Sequence, residues 1–324
     1  MKSGWISTVG NGNAIEFRDV PVPAPGPGQL LLRVRTASLN RGDLLGRIAR
    51  HSAVTARPAG VDAAGEVEAV GKNVTGFSVG DRVMVRAKGT FAEYALAEAV
   101  LSTAIPERLS WEQAAAVPIA YVTAYEALLQ FGHLQAGEWC LIAGVSSGVG
   151  VASLQIATGI GARTIGVSGS ATKLAKLKAS GLDFGIRARG GDFAGQAVAA
   201  TGGAGVDLAV NLVGGSAFKG CQDALRDHGR LAVVGYVDGV MRAEIDLEAM
   251  HGKRLQFFGL SNAALSLAQR AQAQQGFEQE VLPMLADGRI VPMVDRVFPF
   301  DELPAAKAYV ESDMLLGKVV VRMA

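Results

Sequence analysis

An apolar strand pattern, Trp139–Ala143 (WCLIA), runs without a break into Gly144-Val145-Ser146-Ser147-Gly148-Val149-Gly150, and an apolar helical pattern, 151–160, follows at once. A helix entered through glycines leaves free N–H groups and the positive end of its dipole at the turn, a seat suited to a phosphate. The spacing is not a strict G-x-G-x-x-G, so the turn alone also fits a tight connection with no ligand. The residues beyond the turn narrow the choice. Strand patterns at 164–168, Ile186, 206–212 and 230–235 alternate with helical patterns at 171–179, 192–201 and 218–225. Strands alternating with helices of about ten residues build βαβ units and a doubly wound parallel sheet, an α/β Rossmann-type domain.

The stretch 144–148 also reads G-x-S-x-G, the nucleophile elbow of hydrolases, with Ser146 as the nucleophile. Against this, the parallel series continues directly after the turn. Apart from His251, no histidine falls in an obvious loop after a final strand.

The second strand of the series ends Ser168-Gly169-Ser170-Ala171-Thr172-Lys173. A site for NAD usually places an Asp or Glu near this point to hold the ribose 2′-hydroxyl. None is present. Ser168, Ser170 and Lys173 instead suit a 2′-phosphate, which favours NADPH over NADH. The plainer alternative is a helix capped by Ser170 with Lys173 in solvent. Val213, Gly235 and Tyr236 come after later strands, at the carboxyl edge where a dinucleotide lies.

The rest of the chain reads differently. Residues 1–120 carry short strand patterns, 30–36, 65–70 and 83–85, broken by Gly and Pro, as a barrel-like domain would. Residues 299–324 close with a helical pattern at 303–310 and a strand, Lys318–Arg322. With 324 residues, 49% hydrophobic and 19% charged, the chain has enough apolar material for two cores and is not disordered. Thirty-one basic against 30 acidic residues point to no nucleic-acid or anionic-membrane partner. Two cysteines, Cys140 and Cys221, build neither a disulfide framework nor a four-thiolate zinc site. The uncharged stretch 139–162 is long enough for a bilayer, yet five glycines mark it as a strand, a turn and a helix. No secretory signal is visible at the start, so a soluble cytoplasmic protein is expected.

Eight marks run along the chain: 37–43 (ASLNRGD), 60–71 (GVDAAGEVEAVG), 76–83 (GFSVGDRV), 114–128 (AAAVPIAYVTAYEAL), the 144–150 turn, 202–207 (GGAGVD), 229–235 (GRLAVVG) and 317–320 (GKVV). Together they resemble the zinc-free quinone oxidoreductase branch of the medium-chain dehydrogenase/reductases. The resemblance covers nearly the whole chain. It departs from the family pattern at Ser147, where glycine is more frequent, and at Leu45 and Ala188, where many relatives carry a tyrosine. Zinc-dependent relatives place a Cys in the loop held here by Asn40, and Gly-His-Glu where this chain has Gly60-Val61-Asp62. Neither the thiol nor the imidazole is present, and His51, His133, His228 and His251 share no ligand-like spacing. No metal is therefore expected.

The resemblance implies a GroES-like, partly open β-barrel catalytic domain from residues 1–122 and 264–324, and an NADPH-binding domain from 123–263. It implies an active site in a cleft between them. The expected activity is hydride transfer to a quinone or other activated enone. An enoyl-thioester reductase and a low-turnover, crystallin-like NADPH-binding protein are the alternatives. Asn40 is the residue expected to touch the nicotinamide ribose or the acceptor. Asp43 would order its loop by pairing Arg41 or Arg47, and Thr123 matches a nicotinamide-side threonine. The counterpart of Lys318 sits close to the cofactor phosphates. Ser146, Ser147, Gly148, Val149 and Gly150 form the phosphate turn. Tyr121 and Tyr125 are either proton donors or core residues, with water as the other proton source. A homodimer is implied, its last sheet strand, Gln256-Phe257-Phe258-Gly259, pairing with its twofold mate.

Overall fold

In the computed structural model, residues 1–9, 12–44, 56–261 and 265–324 are described. The first of two units comprises Met1–Ala120 and Val291–Ala324, the second Tyr121–Ile290. The chain opens with β1 (Lys2–Val9), β2 (Gly12–Asp19), β3 (Gln29–Leu39) and a single turn of helix, α1 (Arg41–Leu44). Then come β4 (Ala56–Pro58), β5 (Asp62–Val70), β6 (Arg82–Arg86), β7 (Tyr94–Glu98), β8 (Ser102–Ala104) and α2 (Trp111–Ala115). Ser110 starts α2 with a capping box: its hydroxyl accepts the Gln113 N–H, and the Gln113 side chain accepts the Ser110 N–H.

The second unit begins within α3 (Pro118–Tyr125) and continues through β9 (Trp139–Ala143), α4 (Gly148–Gly159), β10 (Arg163–Ser168), α5 (Ala171–Leu177) and β11 (Phe184–Arg187). It is completed by α6 (Ala194–Ala200), β12 (Val206–Asn211), α7 (Gly215–Asp223), β13 (Leu225–Val233), α8 (Leu247–Gly252), β14 (Gln256–Gly259), α9 (Leu267–Glu280) and α10 (Leu282–Asp287). All six strands pair in parallel, in the order β11-β10-β9-β12-β13-β14. The order reverses between β9 and β12. Beyond the carboxyl ends of such strands an open α/β sheet forms its ligand crevice. Leu141, Ile165, Val167, Ala209 and Leu231 build the core of this sheet with Phe193 and Phe218 from the loops and helices. The uncharged stretch 139–162 is divided among β9, the turn and α4. No helix among the described residues is long and apolar enough to cross a membrane.

The chain then returns to the first unit with β15 (Val294–Pro299), α11 (Leu303–Glu311) and β16 (Lys318–Arg322). One sheet has the order β15-β16-β3-β5-β6-β8, with β7 also on β3, and a smaller one the order β2-β1-β4. The long β3 gives one edge to β5 and shares the other between β7 and β16. Its buried Leu30, Leu32, Val34, Ala37 and Leu39 anchor the core, which Val319 and Val321 of β16 complete.

One expected boundary moves. Residues 265–290, expected in the barrel domain, belong with the second unit, because their helices pack on it. Glu280 accepts a hydrogen bond from Tyr125 at 3.2 Å, and a Cβ on Gly159 would meet Met284 Sδ at 2.8 Å.

Candidate active site

The glycine turn is built from its own residues. Gly144 has φ +88°, a left-handed value that lets the chain turn sharply out of β9. A Cβ on Gly150 would come within 2.4 Å of Gly144 O, so glycine lets α4 begin this close to the strand. Ser147 caps the helix: its Oγ accepts the Gly150 N–H at 3.1 Å and donates to Gly144 O at 2.9 Å. The hydroxyl of Ser147 is thus committed to the turn itself. Helix geometry leaves the Gly148 and Val149 N–H groups without intrahelical acceptors. Ser146 Oγ lies 3.3 Å from Ser168 Oγ. That partner is a second hydroxyl, not the imidazole a nucleophile elbow needs.

At the end of β10, Ser168 Oγ also accepts the Ser170 N–H at 3.3 Å. Ser170 caps α5 by accepting the Lys173 N–H at 3.3 Å, and Lys173 stands half-buried in the first turn. The Ala188 N–H donates to Ser168 O at 3.2 Å, tying the end of β11 to the end of β10. This brings in a residue that sequence reasoning missed. The Arg189 side chain folds over Gly169, where a Cβ would meet its Nε at 3.0 Å. Ser168 thus closes β10, Ser170 and Lys173 follow it and Arg189 follows β11, with no Asp or Glu between Ser168 and Lys173 in the sequence.

Asn211, fully buried at the end of β12, was also missed. Its Nδ2 donates to Gly214 O at 2.9 Å, and its Oδ1 accepts the N–H groups of Val213 (2.9 Å) and Gly214 (3.0 Å). Its carbonyl accepts the Gly235 N–H at 3.3 Å. Val213 and Gly235 are brought together at the carboxyl ends of β12 and β13, and Tyr236 beyond them is 54% exposed. The available signal was an amide closing the apolar run LAV at the carboxyl end of the strand VDLAVN.

In the first unit, register gathers a second cluster. Leu39 faces Val319 across β3 and β16, so Asn40 and Lys318 are the next residues on each side. Ser38 faces Asp62 across β3 and β5. Asp62 has 0% and Lys318 5% of its surface exposed. Lys318 Nζ lies 3.2 Å from Asp62 Oδ2 and donates to Asn40 Oδ1 at 2.6 Å. Asn40 Nδ2 donates to Asp62 Oδ2 at 2.8 Å, and Ser38 Oγ to the same oxygen at 3.1 Å. Asp62 Oδ1 accepts the Ile119 N–H at 3.0 Å. A buried carboxylate needs such a set of donors and a counter-charge. The ammonium of Lys318 is held by Asp62 and Asn40.

Thr123 is 6% exposed within α3. Tyr121 is fully buried and donates to Gln155 Oε1 at 2.6 Å, and burial pushes its hydroxyl up. Tyr125 donates to Glu280, and burial together with that carboxylate pushes it up to about 12. Neither is poised to release a proton. Arg41 is held by Val310 O and Asp313. The Asp43 side chain, Leu45, Arg47 and His51 lie outside the described residues. Cys140 and Cys221 are buried, and burial raises both thiols.

Residues 26–107 match the family model described as "Alcohol dehydrogenase GroES-like domain", and 180–321 the one described as "Zinc-binding dehydrogenase". The synaptic vesicle membrane protein VAT-1 homolog of Homo sapiens is 30% identical over 311 residues, spanning 90% of this chain and 78% of that protein. The chain belongs to the medium-chain dehydrogenase/reductase family. Its fold is the α/β one the family shares, a parallel Rossmann sheet with a GroES-like domain. Within the family it is quinone oxidoreductase-like. A mycobacterial protein solved in complex with NADPH superposes with a TM-score of 0.89 at 26% identity, covering 99% of this chain and all of that one. A mycobacterial quinone oxidoreductase gives 0.85 at 26%, and the CurK enoyl reductase 0.85 at 25%, each covering 99% of both chains. A phenolphthiocerol/phthiocerol polyketide synthase of Mycobacterium tuberculosis is 30% identical over 98% of this chain, which spans only 14% of that protein's length.

In this medium-chain dehydrogenase/reductase the residues do not fit a zinc ion where zinc-dependent relatives hold one. Asn40 and Val61 offer no thiolate or imidazole, and the nearby Asp62 is already neutralised by the Lys318 ammonium. Among the described residues, no three His, Cys, Asp or Glu side chains form a group that could hold a metal.

Proposed function

We propose that this chain is an NADPH-dependent reductase that transfers a hydride to a quinone or other activated enone without zinc. The observation that carries the reading is the end of β10, where the hydroxyls of Ser168 and Ser170 and the Arg189 side chain over Gly169 meet a segment, 168–173, that holds Lys173 and no acidic residue. Hydroxyls and cations there suit a 2′-phosphate by charge-assisted hydrogen bonds, whereas a ribose 2′-hydroxyl calls for an acid. The NADPH complex of a mycobacterial relative supports the same choice.

NADPH, when bound, supplies the hydride. The chain's own residues bind and orient. Gly148 and Val149 offer N–H groups to the pyrophosphate, Gly150 lets the helix approach it, and Ser146 flanks the turn. Val213, Gly235 and Tyr236 line the carboxyl edge of the sheet. Asn40 holds the acceptor or the nicotinamide ribose by its amide, and Thr123 serves as the nicotinamide-side threonine. With both tyrosines committed elsewhere, water delivers the proton.

A second reading is an enoyl-thioester reductase on the same scaffold, favoured by the likeness to the CurK enoyl reductase and to the polyketide synthase. We also propose a homodimer formed through β14, an edge strand that pairs only with β13 among the described residues.

The test is NADPH oxidation by chelator-treated protein across quinones, enones and enoyl thioesters. Turnover with the first two supports the main reading, and turnover with thioesters alone supports the second. NADPH binding without turnover on any class overturns both and leaves a low-turnover binding protein.

A further inference from the structure

The Lys318–Asp62–Asn40 cluster does more than neutralise a charge. Three separations close a ring: Lys318 Nζ to Asn40 Oδ1 at 2.6 Å, Asn40 Nδ2 to Asp62 Oδ2 at 2.8 Å, and Asp62 Oδ2 back to Lys318 Nζ at 3.2 Å. A carboxamide has one edge where an oxygen lone pair and an N–H point the same way. Only that edge reaches two partners that also touch each other. The ring therefore uses this edge of Asn40 and leaves one N–H and one lone pair on the far side of a half-buried side chain.

Charge fixes which end is which. An ammonium accepts no hydrogen bond and a carboxylate donates none, so a flipped amide would set N–H against ammonium and oxygen against carboxylate. Stability alone does not call for such a pair, since a buried ion pair is often no better than apolar residues of similar volume. Nor does the cluster tie down one element only: it joins β3, β5 and β16 with the Ile119 N–H at the point where Asn40 leaves β3.

We propose that Asp62 and Lys318 are positioning residues that lock the Asn40 amide in one orientation, presenting its other N–H to the acceptor carbonyl or the nicotinamide ribose. This rests on the reading of Asn40 as the group that meets them. Neither Asp62 nor Lys318 touches the reacting atoms, and both act through Asn40.

Two measurements test this. In the wild-type protein, ¹⁵N spectra of the Asn40 side chain should show one Nδ2 proton protected from exchange and the other not. Two freely exchanging protons overturn the proposal whatever the variants do. The second is a kinetic cycle of Asn40→Ala, Lys318→Met and the double variant, each checked for folding by circular dichroism. Lys318→Met should lower kcat by ~10-fold with NADPH dissociation changed less than about twofold, and should lower it no further in the Asn40→Ala background. If Lys318→Met does not fold, the charge-neutral pair Asp62→Asn with Lys318→Met replaces it. An equal loss in both backgrounds, or full activity in the folded variant, overturns the positioning role. A silent Asn40→Ala, by contrast, overturns the reading of Asn40 itself.

Discussion

Arg189 folds back over Gly169 so closely that a Cβ there would stand 3.0 Å from its Nε. The contact places a guanidinium over Gly169, between Ser168 and Ser170 in the sequence, where a 2′-phosphate would be read. Arg189→Ala and Lys173→Ala should each weaken NADPH binding by ~1–3 kcal/mol and NADH binding by much less. Fluorescence titration of both nucleotides checks this. Equal losses for the two, or tighter NADH binding by the wild-type chain, would remove the 2′-phosphate from this corner.

Ser147 separates cap from ligand contact. Its hydroxyl is spent on Gly144 O and the Gly150 N–H. Ser147→Ala should lower stability by about 1 kcal/mol, the usual worth of an N-cap, and leave NADPH affinity within about twofold. Denaturant unfolding and a binding titration on the same variant separate the two. A large loss of affinity with unchanged stability would make Ser147 a direct ligand.

The tyrosines give a pH prediction. Tyr125 is pushed up to about 12 in the folded chain, above the value of 10.0 for an unperturbed tyrosine. Above pH 10 the unfolded chain loses this proton first, so its contribution to stability is full below about pH 10 and fades toward about pH 12. Tyr125→Phe should remove part of that alkaline loss. Tyr121→Phe and Tyr125→Phe should also keep most of kcat, because both hydroxyls already donate to Gln155 and Glu280. A dead variant of either would reveal a general acid.

The sheet edge carries the assembly prediction. Phe258 on β14 is half-buried, with its ring 6.3 Å from that of Phe131. Light scattering should report a dimer at micromolar concentration, and Phe258→Asp should shift it toward monomer. A wild-type monomer would contradict the pairing through β14.

The dinucleotide unit was legible because local signals agreed. Trp139–Ala143 is an uninterrupted apolar run between Glu138 and Gly144, and its boundaries came out unchanged. Ser170 was readable as a cap because serine before an apolar repeat competes well for the first N–H groups. The helix Leu267–Glu280 was not read, since ALSLAQRAQAQQ shows no apolar stripe. Its one signal is the capping box of Ser266 and Gln269. β1 and β2 were hidden by Asn, Gly and charged residues within their pattern. Asp62 and Lys318 stand 256 positions apart, so no spacing rule could pair them, and only the register of β3 with β5 and β16 does. Arg189 was missed for the same reason: its role depends on how β11 returns to β10.

Transfer of label from NADPH carrying deuterium at the nicotinamide C4 to a simple enone tests hydride transfer most directly. The protein is chelator-treated beforehand, and the reduced product is analysed by mass spectrometry and NMR. One deuterium on the β-carbon, at a rate the chelator does not change, is the expected result. Product without deuterium, or loss of turnover on chelation, would contradict direct, zinc-independent hydride transfer.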